Sequence, residues 1–393
     1  MVSFPLIRIQ SSVTYPDMLP PHKVRLNKKS TTLRLTMIFK QPLRTAAITL
    51  MAAIAASAAF GGWDYTKKYE GPKTPTTDFS WHPDILEGYE ARYVSQGESF
   101  DGPCRSTIVR KLCPQKSRKA YLYVHGFNDY FFQSEMGERF VDSGFNFYAV
   151  DLRRYGRSLE PWQYPFDVRN QREYFADIDS ALAQMRRDGN TDITLSGHST
   201  GGLTVALFAA EKGARCGVKR VVTDSPFLEW NFPAFMRNVA IPVVGFLGQL
   251  APEAKIKQSR CDGYAYSLLK NHHGQWEYDT VWKMVYSPPV TAGWLHSIDR
   301  AQSDLMKKAE HITVPVLVMH SSRRVEGCGW TPEFQKGDAV LNPHELQKRG
   351  MKLGQKSTRQ VSTITDGMHD LILSEPASRE SAYDTIFRFI RAH

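Results

Sequence analysis

Gly197-His198-Ser199-Thr200-Gly201 constrains this chain more than any other stretch. It follows the β-like run Asp192 to Ser196 and precedes Leu203 to Lys212, a segment rich in helix formers. A serine flanked by glycines two residues away on either side fits a sharp turn from strand to helix. Such a turn strains the serine backbone, and side chains at the flanking positions would collide. It also holds the hydroxyl exposed at the end of a strand, so the pattern predicts an α/β sheet with Ser199 as a nucleophile. The pentapeptide alone arises by chance about 0.1 times in a chain this long. The strand before it and the helix after it separate this turn from an ordinary glycine turn.

A serine hydroxyl is a weak nucleophile near neutral pH and needs a histidine base, oriented in turn by an acid. His369 is the best placed of the twelve histidines. It lies in Thr365-Asp366-Gly367-Met368-His369-Asp370, after the β-like run Thr358 to Ile364 and before the helical C-terminus. The acid is expected a few residues after the preceding strand, Val314 to His320, but Ser321-Ser322-Arg323-Arg324 stands there instead. Val325 to Gln335 reads as an insertion, after which Gly337-Asp338-Ala339-Val340-Leu341 supplies an aspartate before apolar residues. Asp338 is therefore the chosen acid and Glu326 the runner-up. Asp366 and Asp370 stand so near His369 that they are expected to shape its loop. The order Ser199, Asp338, His369 matches one known order of the triad.

Acyl transfer also needs donors aimed at the developing oxyanion. The strand Ala120 to Val124 runs into His125-Gly126-Phe127-Asn128-Asp129, where glycine permits close backbone approach. The expected donors are the backbone N–H groups of Phe127 and of Thr200, the latter at the positive end of the helix after the serine.

Taken in order, these motifs resemble the α/β-hydrolases of the serine aminopeptidase S33, or hydrolase 4, group, which includes monoacylglycerol lipases and lysophospholipases. The likeness runs from about Gly88 to the C-terminus. It rests on Tyr123-Val124-His125-Gly126, Asp151-Leu152-Arg153-Arg154-Tyr155-Gly156-Arg157-Ser158, Gly197 to Gly202, Asp224-Ser225-Pro226-Phe227 and Gly367 to Asp370. Thr200 stands where methionine is usual, Arg154 where glycine is usual, and the acid loop carries the insertion. The resemblance implies an α/β-hydrolase fold: a mostly parallel sheet with helices on both faces and a helical cap inserted between two halves. The expected divisions are residues 1–62 as an extension with signal peptide or membrane anchor, 63–80 as linker, 81–226 as the first half of the core, 227–313 as cap and 314–393 as the second half.

The N-terminal division rests on charge and hydropathy. Thr45 to Gly62 is a charge-free apolar run behind Lys40 and Arg44, ending in the small residues Ala56 to Ala59. That is the pattern of a secretory signal, with a single membrane-anchoring helix as its rival. Export or anchoring is the expected location, with membrane association through residues 45–62. Met37 would begin a conventional signal, leaving residues 1–36 as an extension. Residues 1–44 hold eight Lys and Arg against Asp17, so +7 of the formal +10 sits there. No helix-turn-helix, zinc or aromatic-basic pattern accompanies that charge, so no nucleic-acid partner is expected.

The five cysteines are too few and too irregular for a disulfide framework or zinc site. Cys104 and Cys113, if joined by one extended strand, stand about 30 Å apart and do not pair. Cys261 and Cys328 fall in the segments expected to overhang the active site, where a bridge is the alternative to two free thiols. Within the cap, Phe232 to Pro252 is largely apolar, and Pro242 is expected to divide it into two helical pieces. It either receives an acyl chain or packs the cap onto the sheet. Trp276, Tyr278, Trp282 and Trp294 either line a pocket or fill the cap interior.

The expected activity is hydrolysis of carboxylic esters, monoacylglycerols or lysophospholipids, through an acyl-enzyme on Ser199, with a small lipid or ester substrate and no metal or organic cofactor. An S33-type aminopeptidase is the second reading. It needs an acid in the pocket for a substrate amine, with Glu229 and Asp262 as candidates. A non-catalytic binding protein is the third, and the nucleophile and histidine argue against it.

Overall fold

The computed structural model describes residues 71–393, apart from residues 75 and 259 and the side chain of residue 247. The expected signal or anchor at residues 45–62, and residues 63–70 of the expected linker, lie outside the described residues. Among the described residues, no helix is long and apolar enough to cross a membrane.

The described residues open with three strands, β1 (His82–Pro83), β2 (Glu90–Ser99) and β3 (Gly102–Lys111), and then enter an alternation of strand and helix. That alternation comprises β4 (Lys119–Val124), α1 (Ser134–Asp142), β5 (Asn146–Asp151), α2 (Tyr174–Arg187), β6 (Asp192–His198), α3 (Thr200–Lys212) and β7 (Arg220–Asp224). A long excursion follows, with α4 (Ile241–Gly248), β8 (Lys255–Ile256), α5 (Gly263–Leu268), β9 (Val290–Thr291) and α6 (Ala292–Lys308). The alternation then resumes with β10 (Val316–Ser321), α7 (Pro343–Gly350), β11 (Arg359–Ile364) and α8 (Pro376–Ala392).

Among the described residues, nine strands form one sheet in the order β1-β2-β3-β5-β4-β6-β7-β10-β11. Pairings from β5 through β4 to β11 are parallel, and those among β1, β2, β3 and β5 are antiparallel. Both faces are covered, which a parallel sheet requires. In β4, Ala120, Leu122 and Val124 join the apolar cluster that holds α2, α3 and α6 residues, while Tyr121 and Tyr123 join the one that holds α1 and α8 residues. The two-residue period of the strand thus feeds two cores at once. Chain order reverses where β4 sits between β5 and β6, and ligands in open α/β sheets bind beyond the strand ends at such a reversal.

Two expectations about the excursion need correction. The expected cap spans 227–313, yet α6 buries Trp294, Leu295, Ile298, Ala301 and Leu305 in the same core cluster as α3. The part above the strand ends therefore closes at about residue 291, and α6 belongs to the core. Pro242 also does not split its helix. A π-helical turn, Met236–Ala240, leads directly into α4, and its wider spacing accommodates a residue that has no N–H to donate.

Candidate active site

Ser199 stands between β6 and α3 with φ 52° and ψ −116°, a conformation that L-residues avoid. The surrounding glycines make this turn sterically feasible. A Cβ on Gly201 would lie 2.3 Å from the His125 carbonyl oxygen, and one on Gly197 would lie 2.5 Å from that of Gly201. A Cβ on Gly126 would come within 3.1 Å of Ser199 Cβ, so the loop after β4 passes directly against the serine. Around it, Ser199 N–H donates to the Asp224 carbonyl at 2.9 Å, and the Ser199 carbonyl accepts from Leu203 and Phe227 N–H groups at 3.0 and 2.9 Å.

His369 Nε2 lies 3.0 Å from Ser199 Oγ, and its Nδ1 lies 3.0 Å from Asp338 Oδ2. All three side chains are buried. Asp338 reaches this place because the insertion returns on itself. Its N–H donates to the Arg323 carbonyl at 2.9 Å, and its carbonyl accepts from Val325 N–H at 2.8 Å, so Asp338 pairs beside Arg324 just past the end of β10. In space the acid thus stands where the sequence had only arginines. Its other oxygen, Oδ1, accepts from Val340 and Leu341 N–H at 2.8 and 2.7 Å, which fixes the carboxylate in place. Glu326 is an exposed partner of Arg324 at 3.1 Å, and Asp366 is exposed beside Ser322 and Arg323.

Phe127 and Thr200, whose N–H groups are the expected oxyanion donors, line the same cleft as Ser199 and His369. Thr200 is the first residue of α3. His125 is buried with both ring nitrogens engaged: Nε2 accepts from Leu152 N–H at 3.0 Å, and Nδ1–H donates to the Gly126 carbonyl at 2.8 Å. That fixes the loop carrying Phe127 and gives His125 a structural role.

The cleft is walled mainly by apolar groups, among them Phe227, Trp230, Leu268, Met284, Val340 and Leu341. Of the four cap aromatics considered from the sequence, Tyr278 lines it. Trp276 donates to the Leu373 carbonyl, Trp282 packs edge-on against Tyr130, and Trp294 fills the space between Phe127 and Trp230. Neither acid proposed for an amine subsite is a lining residue. Glu229 pairs with Arg349 and Arg237, and Asp262 accepts from Tyr286 O–H at 3.0 Å.

The acid that does line the cleft is Asp129, which no sequence motif marks as a site residue. Its Oδ1 accepts from Lys283 Nζ at 2.6 Å, a buried ion pair between sheet and cap. Neighbouring Asn128 binds the cap twice over: Nδ2 donates to the Met284 carbonyl at 2.7 Å, and Oδ1 accepts from Met284 N–H at 2.8 Å. The available signal is the pair of polar residues, Asn128 and Asp129, that closes the glycine loop after β4. Asp129, His198 and Asp370 bring ligand-type atoms within 4.8 Å of one another, and Lys283 supplies positive charge beside them. Burial, and then the charge on Asp129, push the Asp370 carboxyl up to about 7. Burial holds His198 neutral, well below the usual histidine range.

Residues 115–324, more than half of the chain, match the family described as serine aminopeptidase, S33 (Hydrolase_4), and the chain belongs to that family of the α/β-hydrolase superfamily. Among solved structures it resembles a soluble variant of monoglyceride lipase from Saccharomyces cerevisiae bound to a substrate analogue, at 16% identity and a TM-score of 0.53, covering 77% of this chain and 96% of that one. It resembles the monoacylglycerol lipase of Paleococcus ferrophilus at 19% identity and a TM-score of 0.53, covering 73% and 98%. A thermostable carboxyl esterase from Bacillus coagulans in complex with glycerol matches at 15% identity and 0.53, covering 77% and 98%. At these identities the likeness is one of fold. No curated protein matches the chain.

Proposed function

We propose that this protein hydrolyses carboxylic esters of the monoacylglycerol or lysophospholipid type through an acyl-enzyme on Ser199. The observation that carries the reading is the unbroken chain Ser199 Oγ, His369, Asp338, with both links at 3.0 Å, opening into a largely apolar cleft. Because His369 Nδ1–H donates to Asp338, Nε2 is left as an acceptor facing the serine hydroxyl.

In the first half-reaction Ser199 Oγ bonds to the ester carbonyl carbon while its proton passes to His369 Nε2. Asp338 stabilises the imidazolium that forms, and the Phe127 and Thr200 N–H groups donate to the oxyanion, the latter at the positive end of α3. The carbon–oxygen bond to the alcohol then breaks, and His369 returns its proton to that alcohol. In the second half-reaction water attacks the acyl-serine, losing a proton to the same nitrogen, and the acid leaves as Ser199 recovers its hydrogen.

The apolar walls suit an acyl chain, and two of the structural neighbours are lipases of monoacylglycerols. A fluorophosphonate probe should label the protein, and Ser199→Ala should abolish both labelling and ester turnover. Labelling that persists in the variant places the nucleophile elsewhere and sinks the reading. For residues 45–62 we propose export or anchoring, read from the sequence alone. N-terminal sequencing of protein recovered from a membrane or exported fraction decides between a cleaved and an intact chain.

A further inference from the structure

The ester mechanism leaves the Asp129–Lys283 pair unused. Among the residues lining the cleft, Asp129 is the one carboxylate and Lys283 the one lysine or arginine. Lys283 Nζ lies 2.6 Å from Asp129 Oδ1, 5.4 Å from the ring centroid of Phe132 and 5.7 Å from that of Tyr278. A buried carboxylate with two aromatic rings around one cation is the chemistry that recognises an ammonium ion. This ammonium comes from the protein itself. The cap delivers it across 154 residues of sequence, and the Asn128–Met284 bonds hold the delivering segment in register.

We infer that Asp129, Phe132 and Tyr278 form an ammonium cage beside the nucleophile and that Lys283 fills it, so the cleft selects acyl groups without a free amine over aminoacyl groups. The inference rests on the ester-hydrolase reading above and specifies its substrate class. A substrate α-ammonium entering the cleft would meet the positive charge of Lys283 and find Asp129 already neutralised. Displacing Lys283 would leave a buried ammonium without its counter-ion. A methyl group in the same position meets neither obstacle. Lys283 is thus a specificity residue, and it separates ester hydrolysis from aminoacyl hydrolysis within one fold.

The test compares the 4-nitrophenyl esters of isobutyrate and alanine, which differ by a methyl against an ammonium at about pH 6. For each, kcat/KM is divided by the spontaneous hydrolysis rate and corrected for the fraction of Ser199 that a fluorophosphonate labels. Wild type should favour isobutyrate by about tenfold or more, since like charges in a buried site repel strongly. Lys283→Met should move that ratio toward the alanine ester by about tenfold or more, because it empties the cage and leaves Asp129 to receive the ammonium. Since Lys283→Met also strands a buried carboxylate, the neutral pair Asp129→Asn with Lys283→Met serves as the second variant. It should fall between the other two, having lost repulsion without gaining attraction. A ratio that is constant across the three proteins, or a wild type that prefers the alanine ester, overturns the cage while ester turnover on Ser199 stands. No ester turnover and no Ser199 labelling in wild type overturns the ester reading, and the cage with it.

Discussion

On the sheet side of the cleft, Gly126, Gly197 and Gly201 let backbones touch around Ser199, whereas on the cap side Lys283, Met284 and Ser287 are tied to the sheet by polar bonds from Asn128 and Asp129. The first wall is set by steric fit and holds a strained residue in one position. The second is set by charge and hydrogen bonds, which can be rearranged without disturbing the strands. Chemistry common to a family needs the first kind of wall, and the choice of substrate can be written on the second. The same contrast appears in apolar packing. The residues Thr200 to Ala210 of α3 are all buried, whereas Phe235, Met236, Val239, Val243, Phe246 and Leu250 of the cap are exposed.

The largest expected effect belongs to the sheet side. Asp338→Asn should lower kcat by about 10⁴-fold, because an asparagine amide favours the wrong tautomer of His369. Glu326→Gln should leave it nearly unchanged, since Glu326 faces solvent beside Arg324. Steady-state kinetics on a soluble ester measure both. A comparable loss in Glu326→Gln would show that the acid loop acts through a different carboxylate.

The second effect tests whether the two walls are independent. Cys261 of the cap and Cys328 of the insertion before Asp338 are disulfide-bonded, while Cys104, Cys113 and Cys216 are buried free thiols. Replacing Cys261 and Cys328 by serine should cost about 4 kcal/mol of stability, the chain-entropy value for closing a loop of this size, read as a lower urea midpoint. The effect on kcat should be far smaller than that of Asp338→Asn. Asp338 is held by four backbone partners, at Arg323, Val325, Val340 and Leu341, that do not involve the bridge. If kcat falls as far as in Asp338→Asn, the acid depends on the cap and the division into two walls fails.

The legibility of the site in the sequence follows the same division. Ser199 and His369 were readable because each sits in a short motif at a strand end, where local sterics dictate the residue types. Asp338 was readable only through elimination, and the backbone pairing of Arg324 with Asp338 explains why an insertion did not displace it. Arg154 marks a middle case. It stands where the family has glycine and adopts φ 68°, and its left-handed backbone is compensated by a buried guanidinium bonded to Asp101 at 2.6 and 2.8 Å. Asp129 and Lys283 were invisible because their pairing spans 154 residues and follows no period. The extent of the cap is not legible in the sequence for a related reason. An amphipathic helix such as α6 reads alike whether its apolar face meets the sheet or a lid, and only tertiary packing tells them apart.

The smallest expected effect concerns the outer face of the cap. Val243 and Phe246 stand three residues apart on α4, and Phe246 and the nearby Leu250 are 66% and 83% exposed. The opposite face of the same helix is the packed one, where a Cβ on Gly248 would meet Ala292 Cβ at 2.8 Å. Phe246→Ser and Leu250→Ser remove apolar area that folding does not bury, so each should shift stability by no more than about 0.5 kcal/mol. Gly248→Val, one turn away, forces two helices apart and should cost about 2 kcal/mol. Urea denaturation of the three variants separates these outcomes. A cost above about 1 kcal/mol for Phe246→Ser would mean that something covers this face in the folded protein, making the cap's outer surface a packed one like the sheet's.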